Sequence, residues 1–354
     1  MSKFLSSAFS SIAPYTPGEQ PQNRKYIKLN TNESPFSPSP EVIKSVNAEK
    51  VSELNLYSDP AATSLVNAIA DNFGVSSDMV AVGNGSDEIL AFSFMAFCEK
   101  GVAFADITYG FYEVYANLYG LDAKVIPLKE SFEIDPEDYK GIGRTAFIAN
   151  PNAPTGLLLG LDKIEEILIS NPDNLVIIDE AYIDFGGESA TKLVNKYSNL
   201  LVIGTFSKSR NLAGARIGFA VANPEIICDL NKMKFSFNPY NINRLSIIAG
   251  TEAMKDKAYF EKCTSLIKEA REYTVDELKK LGFSVLDSKA NFVFAQSEKI
   301  SGNEYYLALK EKGILVRWFN KDRIRNFVRI TIGTMEQMEI FTSTTRDILN
   351  SRGK

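Results

Sequence analysis

The sequence predicts an α/β fold: a large domain with a mostly parallel sheet flanked by helices, then a smaller α+β domain at the C-terminal end. Two observations carry this expectation. Short continuous apolar runs, among them Thr145-Ala-Phe-Ile-Ala149, Leu175-Val-Ile-Ile178 and Leu200-Leu-Val-Ile-Gly204, alternate with helical periodicity. Strands covered on both faces by crossover helices read this way. After Pro224 the pattern changes to long helices and then to a second, shorter group of strands, which places a domain boundary near residue 255.

Taken in order, residues 1–29 are rich in Pro, Ser and Gln and read as an N-terminal arm lying on another surface. Residues 30–255 form the large domain and 256–354 the small one. Ile27-Lys-Leu gives a short strand, and Pro40 to Lys50 a helix begun after Ser39-Pro40. Thr63 to Phe73 is amphipathic and closed by Gly74. Met79-Val-Ala-Val-Gly83 is a strand leading through a glycine turn into a helix over Ile89 to Cys98. A helix start after such a turn presents free backbone N–H groups and makes an anion site.

Further strands follow at Val102–Asp106, Lys124–Leu128, Thr145–Ala149 and Asn174–Asp179, with a helix at Leu161–Ile169. Leu200–Gly204 and Ile217–Ala222 read as two buried parallel strands. Residues 243–281 read as helical, and strands are expected at Ser284–Leu286, Asn291–Ala295, Ile314–Arg317 and Phe327–Ile332. Polar residues sit just past several strand ends: Asn84, Tyr109, Asn152, Asp179 and Lys208. In an open parallel sheet, ligands bind outside the carboxyl ends of the strands, so these positions are expected along one edge.

Composition narrows the chemistry. A net charge of −5 argues against a sequence-independent nucleic-acid binder, which needs a basic face. No apolar run approaches the roughly 18 residues of a membrane span, and Met1 to Ser11 lacks the apolar core of a secretory signal. Three isolated cysteines imply neither a disulfide framework nor a metal site and fit a reducing, cytoplasmic setting. The chain has no histidine at all. Imidazole catalysis and histidine metal sites are thereby removed, which leaves a perturbed Lys, Tyr, Asp or Glu, or a cofactor.

Two positions stand out on these grounds. Lys208 follows a buried strand, where burial disfavours its charged form and favours a neutral, nucleophilic amine. Asp179 ends a buried apolar run, and a carboxylate there needs a cation from the protein or from a ligand. Ser207 and Arg216 flank Lys208 with a hydroxyl and a permanent cation, as an anchored phosphate would require. Gly83 and Gly85 begin a G-x-G, but Glu88 stands where a dinucleotide fingerprint needs its third glycine.

Several blocks together resemble a known family. Asn150-Pro-Asn-Ala-Pro-Thr-Gly156, Ile178-Asp-Glu-Ala-Tyr182 and Thr205-Phe-Ser-Lys-Ser209 with Gly214-Ala-Arg-Ile-Gly218 have the order and spacing of fold-type-I, class-II pyridoxal-phosphate aminotransferases. Pro14-Tyr15, Leu29-Asn-Thr-Asn-Glu-Ser-Pro35, Gly83-Asn-Gly-Ser-Asp-Glu88, Pro239-Tyr-Asn-Ile-Asn243 and Val328-Arg-Ile-Thr-Ile-Gly-Thr334 are similar to the histidinol-phosphate branch of that family. The resemblance implies pyridoxal 5′-phosphate as cofactor, held covalently by Lys208, with Asp179 on the ring nitrogen, Tyr182 on the phenolic oxygen and Tyr109 stacked on the ring. It implies a phosphate site from Gly85, Ser86, Asp87, Thr205, Ser207 and Arg216, completed by Tyr57 of a second copy in a homodimer.

Tyr15, Arg317 and Arg329 would grip the small-molecule substrates, histidinol phosphate and 2-oxoglutarate. On the same scaffold, aromatic amino acid transamination or decarboxylation of threonine phosphate are alternatives. The pattern departs from the family at one point: Ala153 stands where the family has an asparagine on the phenolic oxygen. Either Asn152 replaces it or Tyr182 holds that oxygen with water.

Overall fold

The computed structural model describes residues 4–6, 9, 12–22 and 24–352. In chain order its strands are β1 (Ile27–Lys28), β2 (Val80–Gly83), β3 (Val102–Ala105), β4 (Ala123–Ile126), β5 (Thr145–Ala149), β6 (Val176–Asp179), β7 (Leu200–Thr205), β8 (Gly218–Ala222), β9 (Phe283–Val285), β10 (Phe292–Ser297), β11 (Ile314–Leu315), β12 (Arg317–Trp318) and β13 (Phe327–Thr331). Seven of them form one sheet in the order β2-β8-β7-β6-β5-β3-β4. Its central strands are buried at every position, as expected of apolar runs covered on both faces.

One strand reverses the expected direction. β8 runs antiparallel to both β2 and β7, whereas the sequence reads as a parallel strand. Only a short 3₁₀ turn, Ala213–Ala215, lies between β7 and β8, and a parallel crossover needs a dozen or more residues, usually a helix. The reversal brings Arg216, just before β8, to the edge where β7 ends.

The C-terminal part packs β12-β13-β10-β9 into an antiparallel sheet against the helices Lys257–Lys280 and Met335–Arg352. The long helical stretch is in fact two helices, Arg244–Lys255 and Lys257–Lys280. Between them Asp256 accepts from the Tyr259 N–H and caps the second. The Pro40–Lys50 helix is likewise two short ones, Pro40–Ser45 and Ala48–Ser52, the second capped by Asn47. Ile314–Arg317 splits at Val316, so that β11 pairs with β1 while β12 pairs with β13.

The arm lies on the small domain. β1 pairs with β11, Leu29 enters the same apolar cluster as Val293 and Phe341, and Arg24 donates to the carbonyls of Lys310 and Glu311. Residues 1–3, 7, 8, 10 and 11, within the stretch read for a signal peptide, lie outside the described residues.

Candidate active site

Strand ends and the loops beyond them enclose a cavity of about 760 Å³ lined by residues from both domains and the arm. Its floor begins at β2. Gly85, with φ +80°, turns the chain into the helix Ser86–Phe97, and Ser86 and Asp87 at its start line the cavity. The backbone at 85, φ +80° and ψ 163°, is one that only glycine adopts without strain, and a side chain there would also displace the Arg216 guanidinium, 2.5 Å away. Gly218 is required by close approach, because a Cβ there would lie 2.3 Å from the Ser86 backbone nitrogen.

Arg216, itself at φ +53°, pairs with Asp87 at 3.1 Å, and Asp87 also accepts from the Tyr109 hydroxyl at 2.8 Å. Thr205 donates to the Ser207 hydroxyl at 3.0 Å and accepts from the Ser207 N–H at 3.1 Å. Helix-start N–H groups, two hydroxyls and a guanidinium thus converge on one side of the cavity, where they suit a phosphate.

Asp179 ends β6 and is almost wholly buried. Burial raises its carboxyl from 3.8 to about 6, opposed by hydrogen bonds from the Tyr112 hydroxyl at 2.9 Å and the Ala181 N–H at 3.3 Å. Tyr112 is a partner that sequence reasoning misses; its one sign is the ring-rich stretch Tyr109-Gly-Phe-Tyr112 just past β3.

Lys208 follows β7, and its ammonium is lowered from 10.5 to about 8, first by burial and then by Arg329. Its Nζ donates to the Thr31 carbonyl at 3.2 Å and lies 5.8 Å from the centre of the Tyr182 ring. An amine so placed holds an appreciable neutral fraction near neutrality, as a nucleophile needs. Asp179, Tyr182 and Lys208 all line the cavity.

The opposite wall carries the two arginines. Arg317 and Arg329 stand directly across from each other in the β12–β13 pair, a placement that like charges disfavour unless an anion lies between them. Neither forms an ion pair with a described carboxylate. Arg329 donates to the Asn30 carbonyl at 3.0 Å, but its buried Nε has no partner, and burial holds its pKa below the usual value. Arg317 donates to the carbonyls of Thr16 and Pro17 and so ties the arm to this wall. Tyr15 stacks on Phe111 at 4.3 Å and also lines the cavity.

Two of the expected residues are placed elsewhere. Asn152 is buried and turned away from the cavity: its carbonyl oxygen accepts from Thr108 at 2.8 Å, and its amide donates to the Ile107 carbonyl and the Thr155 hydroxyl. Ala153 lines the cavity instead; the chain turns here, with the Gly156 N–H donating to the Asn152 carbonyl at 2.7 Å, and the Asn152 side chain is satisfied within the turn and by Ile107 and Thr108. The Asn152 side chain therefore offers no polar atom to the cavity. Tyr57 is 79% exposed, stacked on Tyr240 at 4.4 Å, and does not line this chain's own cavity.

The profile of the family "Aminotransferase class I and II" matches residues 24–344. The chain belongs to this family. Among its curated relatives, a histidinol-phosphate aminotransferase of Brachyspira hyodysenteriae (strain ATCC 49526 / WA1) is 54% identical over 354 residues, covering 99% of this chain and 100% of that one. Among solved structures, the histidinol-phosphate aminotransferase from Clostridium acetobutylicum superimposes with a TM-score of 0.85 at 28% identity, covering 92% and 99%. One from Sinorhizobium meliloti, in complex with pyridoxal-5′-phosphate, gives 0.88 at 22% identity with 99% of each chain covered, a likeness of fold.

The aminotransferase uses pyridoxal 5′-phosphate, and the cavity fits it. A helix-start anion cradle, a desolvated amine and a buried carboxylate in want of a cation are the three donors and acceptors that this coenzyme needs.

Proposed function

We propose that the enzyme transfers an amino group between histidinol phosphate and 2-oxoglutarate, giving imidazole acetol phosphate and glutamate, in histidine biosynthesis. The observation that carries the substrate class is the facing pair Arg317 and Arg329, with the Arg329 Nε buried and unpartnered beside Tyr15. A guanidinium fork binds a carboxylate or a phosphate with equal geometric ease, so one wall serves both anionic substrates in turn.

The bound coenzyme supplies an electron-accepting ring for the electron pair released at the substrate Cα. Asp179 would hold the ring nitrogen in its protonated form, and Tyr182 would donate to the phenolic oxygen. Ser86, Asp87, Thr205, Ser207 and Arg216 hold the phosphate, the first two through backbone N–H groups, while Tyr109 covers the ring. Lys208 would hold the coenzyme through its Nζ, and the same amine would carry the proton at the substrate Cα.

Incubation with glutamate is expected to bleach the visible coenzyme band, and histidinol phosphate to be consumed with 2-oxoglutarate far faster than phenylalanine. Faster turnover of phenylalanine would sink the substrate assignment; carbon dioxide release from threonine phosphate would sink transamination. Arg329→Ala is expected to raise KM for both substrates by about 10²–10³-fold, the effect of removing one member of a buried charge pair. Steady-state kinetics that left either KM unchanged would place Arg329 outside the site.

A homodimer completes the reading. Tyr57 is exposed and stacked on the exposed Tyr240, and Leu54 and Leu56 just before it in the chain are exposed apolar side chains as well. A second copy covers this patch and receives Tyr57 at its phosphate cradle, in a cytoplasmic enzyme. Sedimentation of the holoenzyme as a monomer at micromolar concentration would overturn this.

A further inference from the structure

The hydroxyl of Tyr182 has one neighbour that the reading above does not use. Asn32 is 1% exposed and lines the cavity, and its Nδ2 donates to the Tyr182 oxygen at 3.0 Å. It holds a left-handed backbone conformation, φ +55°, which asparagine tolerates better than most residues but which still needs support from its surroundings.

That support is specific. The Asn32 N–H donates to the Thr331 hydroxyl at 3.0 Å, the Thr331 hydroxyl donates to Asn32 Oδ1 at 2.8 Å, and the Asn32 carbonyl accepts from Asn291 at 3.1 Å. The polarity of the amide follows from this chain of bonds. The Thr331 oxygen accepts from the Asn32 backbone N–H and gives its single proton to Oδ1 of the same residue. With Oδ1 engaged by Thr331, the NH₂ end faces Tyr182.

A phenol that accepts a hydrogen bond in this way keeps its own proton free to donate elsewhere, and bonds in such a chain strengthen one another. The Tyr182 ring is fixed edge-on against Phe292 at 5.0 Å, so its hydroxyl has little freedom to seek another partner. Across the cavity, position 153 offers only a methyl group and Asn152 is turned away.

We infer that Asn32 is a positioning residue that fixes the Tyr182 hydroxyl as a hydrogen-bond donor into the cavity, so that Thr331, Asn32 and Tyr182 form a directed relay onto the phenolic oxygen of the coenzyme. This rests on the pyridoxal-phosphate reading and deepens it. The relay does, from the N-terminal segment, the work that an amide at position 153 would do from the β5 loop. Asn32 acts on the coenzyme only through the tyrosine.

The readout is the pH titration of the bound coenzyme's visible absorbance. A donor to the phenolic oxygen favours the form carrying more negative charge there, and so holds the titration midpoint down. Asn32→Gly removes the amide while keeping a residue at home in the left-handed region. It is expected to raise the midpoint by about half to one pH unit and to weaken coenzyme retention on dialysis several-fold.

In a Tyr182→Phe background the same substitution should produce no further shift, because the hydroxyl it acts through is gone. Asn32→Asp serves as a second variant should the glycine variant fold poorly. Its carboxylate accepts where the amide donated, which draws the tyrosine proton away from the cavity. Its shift is expected to exceed that of Asn32→Gly and to shrink once Tyr182→Phe is also in place. A midpoint unmoved in the variants, or a shift of equal size with and without the Tyr182 hydroxyl, overturns the relay. Loss of the visible band from the unmutated protein would instead overturn the coenzyme reading beneath it.

Discussion

Lys208→Ala is expected to abolish covalent retention of the coenzyme and to lower kcat by about 10⁴-fold or more, since one side chain supplies both the attachment and the proton transfer at Cα. The lowered ammonium, at about 8, is what makes the amine competent for both tasks near neutral pH. Its cause is desolvation first and the nearby Arg329 charge second. Denaturation followed by mass analysis after borohydride reduction separates the two effects. The unmutated chain should retain the coenzyme's mass and the variant should not. A variant with wild-type turnover would remove Lys208 from the chemistry altogether.

Asp179→Asn is expected to reduce kcat by roughly 10²–10³-fold, because the protonated ring nitrogen then faces a neutral amide in a buried site, and such a pair is worth about 3–5 kcal/mol when one member is removed. The same substitution should stabilise the coenzyme-free protein. Burial raises the Asp179 carboxyl from 3.8 to about 6. A carboxyl raised on folding favours the folded state below its unfolded value, and that contribution is lost as pH climbs through the folded value. The aspartate thus opposes folding of the coenzyme-free protein above pH 6, by at most about 3 kcal/mol. Calorimetry of coenzyme-free wild type and variant should show a gap at about pH 7 that closes toward about pH 4. A wild type equal to the variant at neutral pH would mean that the carboxylate is not strained. With coenzyme bound, the ordering should reverse in favour of aspartate.

These two effects share an origin. Charges buried without an oppositely charged partner destabilise the protein alone and select for a ligand that carries the complement. Asp179, Lys208 and Arg329 all fit this description, and in each the leading cause of the altered pKa is desolvation.

Much of the site is legible in the residues alone. Apolar runs ending in polar residues point to Asp179 and Lys208, because strands buried on both faces leave their chemistry to their ends. The glycine turn before Ser86 points to an anion site, and the structure adds that Gly85 is required by its positive φ and Gly218 by close approach to the Ser86 backbone. Asn152 defeats such reasoning because the turn closed by the Gly156 N–H on the Asn152 carbonyl decides which side chain faces the cavity, and apolar patterning holds no information on that. Tyr112 and Asn32 escape it for a different reason. Their importance lies in hydrogen bonds to Asp179 and Tyr182, residues 67 and 150 positions away.

By itself the sequence determined the α/β class, the charged groups that must lie past strand ends and, through the absence of histidine, a chemistry left to a perturbed Lys, Tyr, Asp or Glu or to a cofactor. Those properties follow from burial and composition, which are local. Only the tertiary structure decided that β8 runs antiparallel and so delivers Arg216 to the phosphate side, that Arg317 and Arg329 face each other, and that Asn32 aims its amide at Tyr182. Strand direction, register and hydrogen-bond polarity arise from pairing between distant segments, and no local pattern of residues encodes them.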